Sequence, residues 1–348
     1  MSARWWLLAV GALVLVAPVR GEEKRGLTIT FIDTEGGAAT LIVTPAKQSV
    51  LIDCGNPGDR DAGRIHEAAK RAGLEAIDHL IITHWHTDHY GGALPLSKLI
   101  PIRNFHDRGI PETLAEDPKR FPLLIADYKR ATGGKSKTLH ARESLLLRGS
   151  DSSPLVHLDC LCASGEVIPD RPGAAENEAA RDNKPMAVDT SDNAKSLGFL
   201  LRYGGFRFLD LGDLTWNVEH KLVWPSDKIG LVDVYQSTHH GLEISNNPAV
   251  IRTVSPRVAI FNNGGRKGCH PTVVANLRRV PDIQAIYQLH RNVTATLTEN
   301  TEPGYIANFE EKCSGEAIYL SVAPDGRSYT VRVGAEGKQR SYKTRLEK

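Results

Sequence analysis

From Leu27 onward, short apolar runs alternate with turn residues. The runs Leu27 to Asp33, Ala39 to Thr44 and Ser49 to Asp53 predict three strands of one sheet. Asp61 to Ala72 switches to helical spacing, with Ile65, Ala68, Ala69 and Ala72 on one side and Gly73 as a stop. Asp78 to Thr83 predicts a further strand. Residues 100–150 read as a charged insertion with a helix around Leu123 to Arg130, and 164–191 as a long polar loop. Order returns at Ser196 to Tyr203 and Phe206 to Leu211, a hairpin joined by Gly204-Gly205. Strands at Val232 to Ser237, Arg257 to Phe261 and Ala285 to Leu289 then alternate with helices near Val218, Pro248 to Val254 and Thr272 to Val280. That alternation predicts an α/β class. Ala317 to Val322 and Ser328 to Val333, around Pro324-Asp325-Gly326, predict a C-terminal β-hairpin extension within 301–348.

The strand Asp78 to Thr83 delivers the chemistry. It runs into His84-Trp85-His86-Thr87-Asp88-His89, four metal-binding side chains within six positions. His84 and His86, two apart, point to one side and suit one metal. Asp88 and His89 follow the turn, where Gly91-Gly92 lets the backbone swing close, and suit a second. By contrast His66, His79, His106, His220 and His290 show no ligand spacing and read as surface or satisfied core residues.

Residues 5–17 form an apolar block behind Arg4, short for a membrane span, and Val19 and Gly21 offer small residues for cleavage. Residues 1–21 are therefore expected to be a signal peptide, with a retained anchor as the alternative, and the body to be periplasmic or secreted with no stable membrane span. Lys and Arg total 43 against 41 Asp and Glu, and loss of Arg4 and Arg20 brings the net charge to zero. That balance disfavours a protein whose affinity comes from a basic face laid over a long polyanion, and makes short nucleic acid a secondary expectation. Five cysteines, an odd number, exclude a fully paired disulfide framework.

Four motifs follow in order: Leu51-Ile52-Asp53-Cys54-Gly55, the HxHxDH string, Leu211-Gly212-Asp213-Leu214 and His239-His240-Gly241. This succession resembles the metallo-β-lactamase superfamily of metal-dependent hydrolases, over about Leu27 to Leu289. Within it the chain is most similar to the hydrolase domain of competence-type DNA-uptake channel proteins, through Phe31-Ile32-Asp33, Gly36-Gly37-Ala38, Tyr203-Gly204-Gly205-Phe206, His239-His240-Gly241 and His270-Pro271. The channel's membrane helices have no counterpart here. The resemblance implies an αββα sandwich of two β-sheets with helices outside, spanning 27–300, with a metal centre at one edge. It implies two divalent ions, Zn foremost with Mn or Fe at one site. His84 and His86 would hold one ion, Asp88, His89 and His240 the other, and Asp213 would bridge them. Asp53, Asp33 and His239 would orient ligands rather than bind.

The chain departs from the family in one place. The family takes a third histidine for the first metal four residues before a Ser; Ser196 fits that Ser, and Asp192 stands at the histidine's position, followed by Asn193. Asp192 is expected as an oxygen ligand that favours Mn or Fe; His140 and His157 would substitute only if the intervening chain folds back. His270, after a Gly-rich basic loop with Arg266 and Lys267 and before Pro271, is expected to face substrate beside Asp88 and Asp213. The expected activity is hydrolysis by a metal-bridged hydroxide of a small phosphodiester or related anionic ester. The alternatives are a lactone, thioester or β-lactam hydrolase, and a catalytically weak metal-dependent binding protein.

Overall fold

The computed structural model describes residues 25–150 and 153–345; the expected leader lies outside them. Two sheets face each other. In the first, the strands run in the order Gln339–Lys343, Ser328–Val333, Ile318–Val322, Thr28–Phe31, Thr40–Val43, Ser49–Ile52, Ile77–Ile81, Ile102–Asp107 and Ser136–Thr138. In the second they run Ile306–Asn308, Ala285–His290, Val258–Phe261, Val234–Gln236, Phe206–Asp210, Gly198–Tyr203, Val156–Ala163 and Ser144–Leu147, with Glu166–Val167 pairing beside Val156–Ala163.

The runs are apolar without alternation because both faces of each sheet are covered. In Ser49–Ile52, Val50 and Ile52 point between the sheets, where they join Phe31, Phe199, Phe208, Val258 and Tyr287. Leu51 points outward, into a layer with Ala62, Ile65 and Ala69 of helix Asp59–Arg71 and with Leu96 and Tyr128. On the far side Tyr235 and Ala259 pack against Val250, Val254, Val274 and Leu277 of helices Pro248–Val254 and Pro271–Arg278. The result is the expected helix–sheet–sheet–helix sandwich.

Three expectations are corrected. Residues 100–150 are no mere insertion: Ile102–Asp107 and Ser136–Thr138 extend the first sheet by parallel pairing, a role their exposed outer positions conceal in the sequence. The C-terminal segment holds four strands rather than a hairpin: Ile306–Asn308 edges the second sheet, and Ile318–Val322 pairs antiparallel with Thr28–Phe31 to carry the other two into the first. Helices Thr87–Tyr90 and Ala93–Leu99, which directly follow the histidine string, were not expected. Among the described residues no helix is long and apolar enough to cross a membrane, and all five cysteines are free.

One buried carboxyl gives the fold a pH signature. Glu219 in helix Trp216–Lys221 accepts from Asn247 N at 2.8 Å through Oε2, while Oε1 is buried without a partner. Burial pushes this carboxyl from its ordinary 4.5 up to about 7. The folded state therefore holds a proton the unfolded chain has released, and stability falls as pH rises from about 4.5 to about 7. Glu219→Gln is expected to match wild type near pH 4 and to exceed it at pH 8 by up to about 3 kcal/mol, because each tenfold change in proton affinity is worth about 1.4 kcal/mol. Urea unfolding at the two pH values checks this; equal gaps at both would remove the titration as cause.

Candidate metal centre

The site forms where the ends of strands from the two sheets meet. Ile77–Ile81 delivers Thr83 and His84, and Phe206–Asp210 turns through Gly212 to Asp213. A hydrogen bond from Leu197 N to Thr83 O at 3.0 Å ties these halves together. Gly92 lets the histidine segment sit against the Asp53 turn, since a Cβ there would lie 2.0 Å from Cys54 O. His239 and His240 both adopt left-handed backbone, at φ 53 and 55. Such geometry costs about 1–3 kcal/mol per non-glycine residue, and here it turns two successive imidazoles toward one centre.

Hydrogen-bond roles can be assigned ring by ring. Asp53 receives the Thr83 hydroxyl at 2.8 Å and faces His89 Nδ1 at 2.7 Å. A carboxylate only accepts, so His89 carries its hydrogen on Nδ1. With its one hydrogen spent on Asp53, Thr83 Oγ1 must accept from His84 Nδ1 at 3.0 Å. His240 Nδ1 faces the Asn262 carbonyl at 3.2 Å and is likewise the donor. His86 turns Nε2 to the Glu116 carboxylate at 3.3 Å.

Each outward hydrogen leaves an inward lone pair. His84 Nε2 meets His86 Nδ1 at 3.1 Å, and His89 Nε2 meets His240 Nε2 at 3.3 Å. Two acceptors facing each other at these distances need a cation between them: a metal ion or, before one binds, the proton that the surrounding carboxylates hold on His89. Asp213 Oδ2 stands between the two pairs, 3.8 Å from His84, 3.2 Å from His89 and 3.3 Å from His240. Its Oδ1 is buried with no partner. Asp88 Oδ2 adds a carboxylate 3.6 Å from His89 and 3.4 Å from His240, and also pairs with Lys267. The groups His84–His89–Asp213 and Asp88–His89–His240 are each close enough to hold an ion. This donor set of imidazoles and carboxylates suits zinc and comparable divalent ions.

Electrostatics point the same way. Burial opposes ionisation of Asp88 and Asp213, yet neighbouring His89 and His240, joined by Lys267 at Asp88 and by His239 at Asp213, hold both well below the usual carboxylate range. Burial raises Asp53 despite His89. Burial also pushes His84 well down and His239 down to about 4. At His89 burial is outweighed by Asp213, Asp53 and Asp88, which raise it well above its ordinary value. A metal entering this cluster must displace that proton, so occupancy falls toward acid pH.

Three expected site residues are placed elsewhere. Asp192 is no ligand: its carboxylate forms a buried ion pair with Arg108 and accepts Trp85 N at 2.7 Å, leaving no oxygen directed at the histidines. Asp33 lies in a separate cluster, paired with His290 at 2.7 Å and Arg64 at 3.0 Å, beside Cys313. The expectation that Asp33 orients a ligand of this centre is therefore withdrawn; His290, which showed no ligand spacing, stands with Asp33 and Cys313 in a separate group close enough to hold an ion. His270 accepts weakly from Thr272 N at 3.4 Å at the start of Pro271–Arg278 and has Glu243 at 3.9 Å; it contacts no metal-site side chain. His157, on Val156–Ala163, is not brought to the centre.

Other groups escaped the sequence. Glu116 reaches His86 from an irregular segment with no spacing to mark it, and also accepts Asp192 N at 2.6 Å. Lys267 stood in a recognised basic cluster, but its pairing with Asp88 depends on a loop return. At Gly268, φ +80, a Cβ would lie 2.0 Å from His240 O, so only glycine brings that loop so close.

Residues 32–149 match the family model described as Metallo-beta-lactamase superfamily. The matched segment holds Asp53 and the HxHxDH string; Asp213, His239 and His240 come from the second sheet beyond it. Over 65 residues the chain is 34% identical to the lactamase-like protein notP of Aspergillus sp. (strain MF297-2), covering 19% of this chain and 20% of that protein. Over 71 residues it is 35% identical to an atrochrysone carboxyl ACP thioesterase of Passalora fulva, covering 20% of this chain and 21% of that protein. The aligned segment thus spans about a fifth of the length of these relatives. Among solved structures, the diiron β-hydroxylase CmlA from Streptomyces venezuelae aligns with a TM-score of 0.44 and 16% identity over 75% of this chain and 52% of that one.

Proposed function

We propose that the protein is a metal-dependent hydrolase that uses a metal-bridged hydroxide on a small anionic ester, a phosphodiester foremost. The observation that carries this reading is the convergence of two lone-pair-to-lone-pair histidine contacts on Asp213. His84, His86 and Asp213 would hold one ion, and Asp88, His89, His240 and Asp213 the other. When bound, two such ions lower the pKa of a shared water toward neutrality and stabilise charge on the attacked group.

The chain's own residues prepare this chemistry. Asp53 and Asn262 O fix the tautomers of His89 and His240, and Thr83 does so for His84, so that Nε2 of each faces inward. Asp213 and Asp88 offset part of the cationic charge. Lys267, a partly exposed side chain at the rim, is the residue that favours an anionic substrate: once Asp88 is engaged inward, its ammonium is free to meet a negative group. Resemblance to the hydrolase domain of DNA-uptake channels supports a phosphodiester, and the expected leader supports action outside the cytoplasm.

Thioester hydrolysis is the second reading, favoured by the name of the Passalora relative. A panel of chromogenic phosphodiester, thioester, lactone and cephalosporin substrates, assayed with zinc, manganese and iron, separates the classes. Lys267→Ala is expected to raise KM for the anionic substrate about tenfold, equivalent to about 1.4 kcal/mol, and to leave KM for a neutral ester unchanged. Equal effects on both would remove Lys267 from anion recognition. Turnover of the thioester alone would transfer the proposal to the second reading.

A further inference from the structure

With Asp192 committed to Arg108, the first site counts His84, His86 and the shared Asp213, one protein ligand fewer than the second. The second site already has Asp88, His89, His240 and Asp213. We propose that His239 is a further ligand of the first ion, so that this chain replaces the histidine expected from the loop before Ser196 with one from the turn that also carries His240. The inference rests on the two-ion reading above.

Four observations carry it. His239 Nε2 lies 3.5 Å from Asp213 Oδ2, inside the spread of 3.2 to 3.8 Å shown by His84, His89 and His240. Its Nδ1 is held by Ser245 Oγ at 3.2 Å, the same outward anchoring that the other three rings have through Nδ1. The ring is buried. Its inward nitrogen has one other neighbour, Asn193 Nδ2 at 3.5 Å, beyond the usual hydrogen-bond range.

Asn193 adjoins Asp192, whose carboxylate holds the backbone of Trp85 between His84 and His86, and this places His239 on the first-ion side. The Asn193 Oδ1 is buried without a partner, an acceptor that suits a cation or its bound water. The left-handed backbone at both His239 and His240 fits the same arrangement, because it lets neighbouring residues serve two ions from one turn, with ring centres 6.0 Å apart.

The test is metal stoichiometry in the full chain loaded with cobalt(II), read by equilibrium dialysis and by visible absorption, which reports coordination without turnover. Wild type is expected to bind two ions. His239→Ala should retain one, with the lost ion weakened more than about 100-fold, above the 10–100-fold typical of a residue that only orients a ligand. His84→Ala/His239→Ala should still retain one, since both residues serve the same ion, whereas His240→Ala/His239→Ala should retain none. His239→Gln, which keeps side-chain bulk, repeats the single-variant measurement if the alanine variant is misfolded by circular dichroism. Two ions at wild-type affinity in His239→Gln or His239→Ala overturn the proposal, as does complete loss in His84→Ala/His239→Ala, which would put His239 on the second ion. Absence of bound metal in wild type would instead overturn the two-ion reading itself.

Discussion

Asp213→Ala is expected to lower hydrolysis by at least about 1,000-fold and to release at least one ion. The size follows from position. Removing a single oxyanion donor commonly costs about 10²–10³ in rate, and Asp213 stands deeper in the machinery than such a donor. Its Oδ2 lies within 3.8 Å of His84, His89, His239 and His240, and its Oδ1 is a buried acceptor with nothing to accept from. Without the carboxylate, the two lone-pair contacts lose the negative charge they share, and Asp88 remains beside His89 and His240 alone of the four imidazoles. Asp213→Asn is expected to be nearly as inactive, because an amide keeps the volume and loses the charge. Atomic absorption on the purified variants, with turnover of the best substrate, checks both. Two retained ions with activity within tenfold of wild type would rule out Asp213 as the bridge.

The legible part of this centre was the part written locally. HxHxDH lies on one strand end and one short helix, so its spacing encodes its geometry, and Leu-Gly-Asp marks a strand end in the same way. The α/β class was legible in the alternation of strands with helices, and the sandwich was implied by the resemblance that the four motifs carry. What stayed hidden depends on chain returns. Ile102–Asp107 carries polar outer positions, Arg103 and Asn104, which read as insertion although its backbone pairs with Ile77–Ile81. Between His239 and His240 no spacing decides the roles, because a strand would send neighbours to opposite faces and only the left-handed turn sends both inward. At Asp192 the resemblance implied a metal ligand, and the structure gives an ion pair instead. Arg108, 84 positions away, takes the carboxylate, and nothing in the sequence around either residue announces the pair.

Asp192→Ala is therefore expected to act on stability rather than on ligation. Asp192 and Arg108 are both buried, and the carboxylate also holds Trp85 N, so truncation strands a guanidinium and a backbone donor away from water. Breaking a buried ion pair from one side costs about 3–5 kcal/mol. Arg108→Met combined with Asp192→Leu should recover much of that loss, since the stranded charge is then gone and apolar volume replaces it, although Trp85 N stays unpaired. Urea unfolding of metal-stripped protein measures the effect with ligation excluded, and the double variant tests its cause. Metal binding in Asp192→Ala should weaken only as far as the Trp85 backbone loosens, with His84, His86 and Asp213 still present as donors. A loss below about 1 kcal/mol, together with an emptied first site, would reverse this assignment and return Asp192 to the metal.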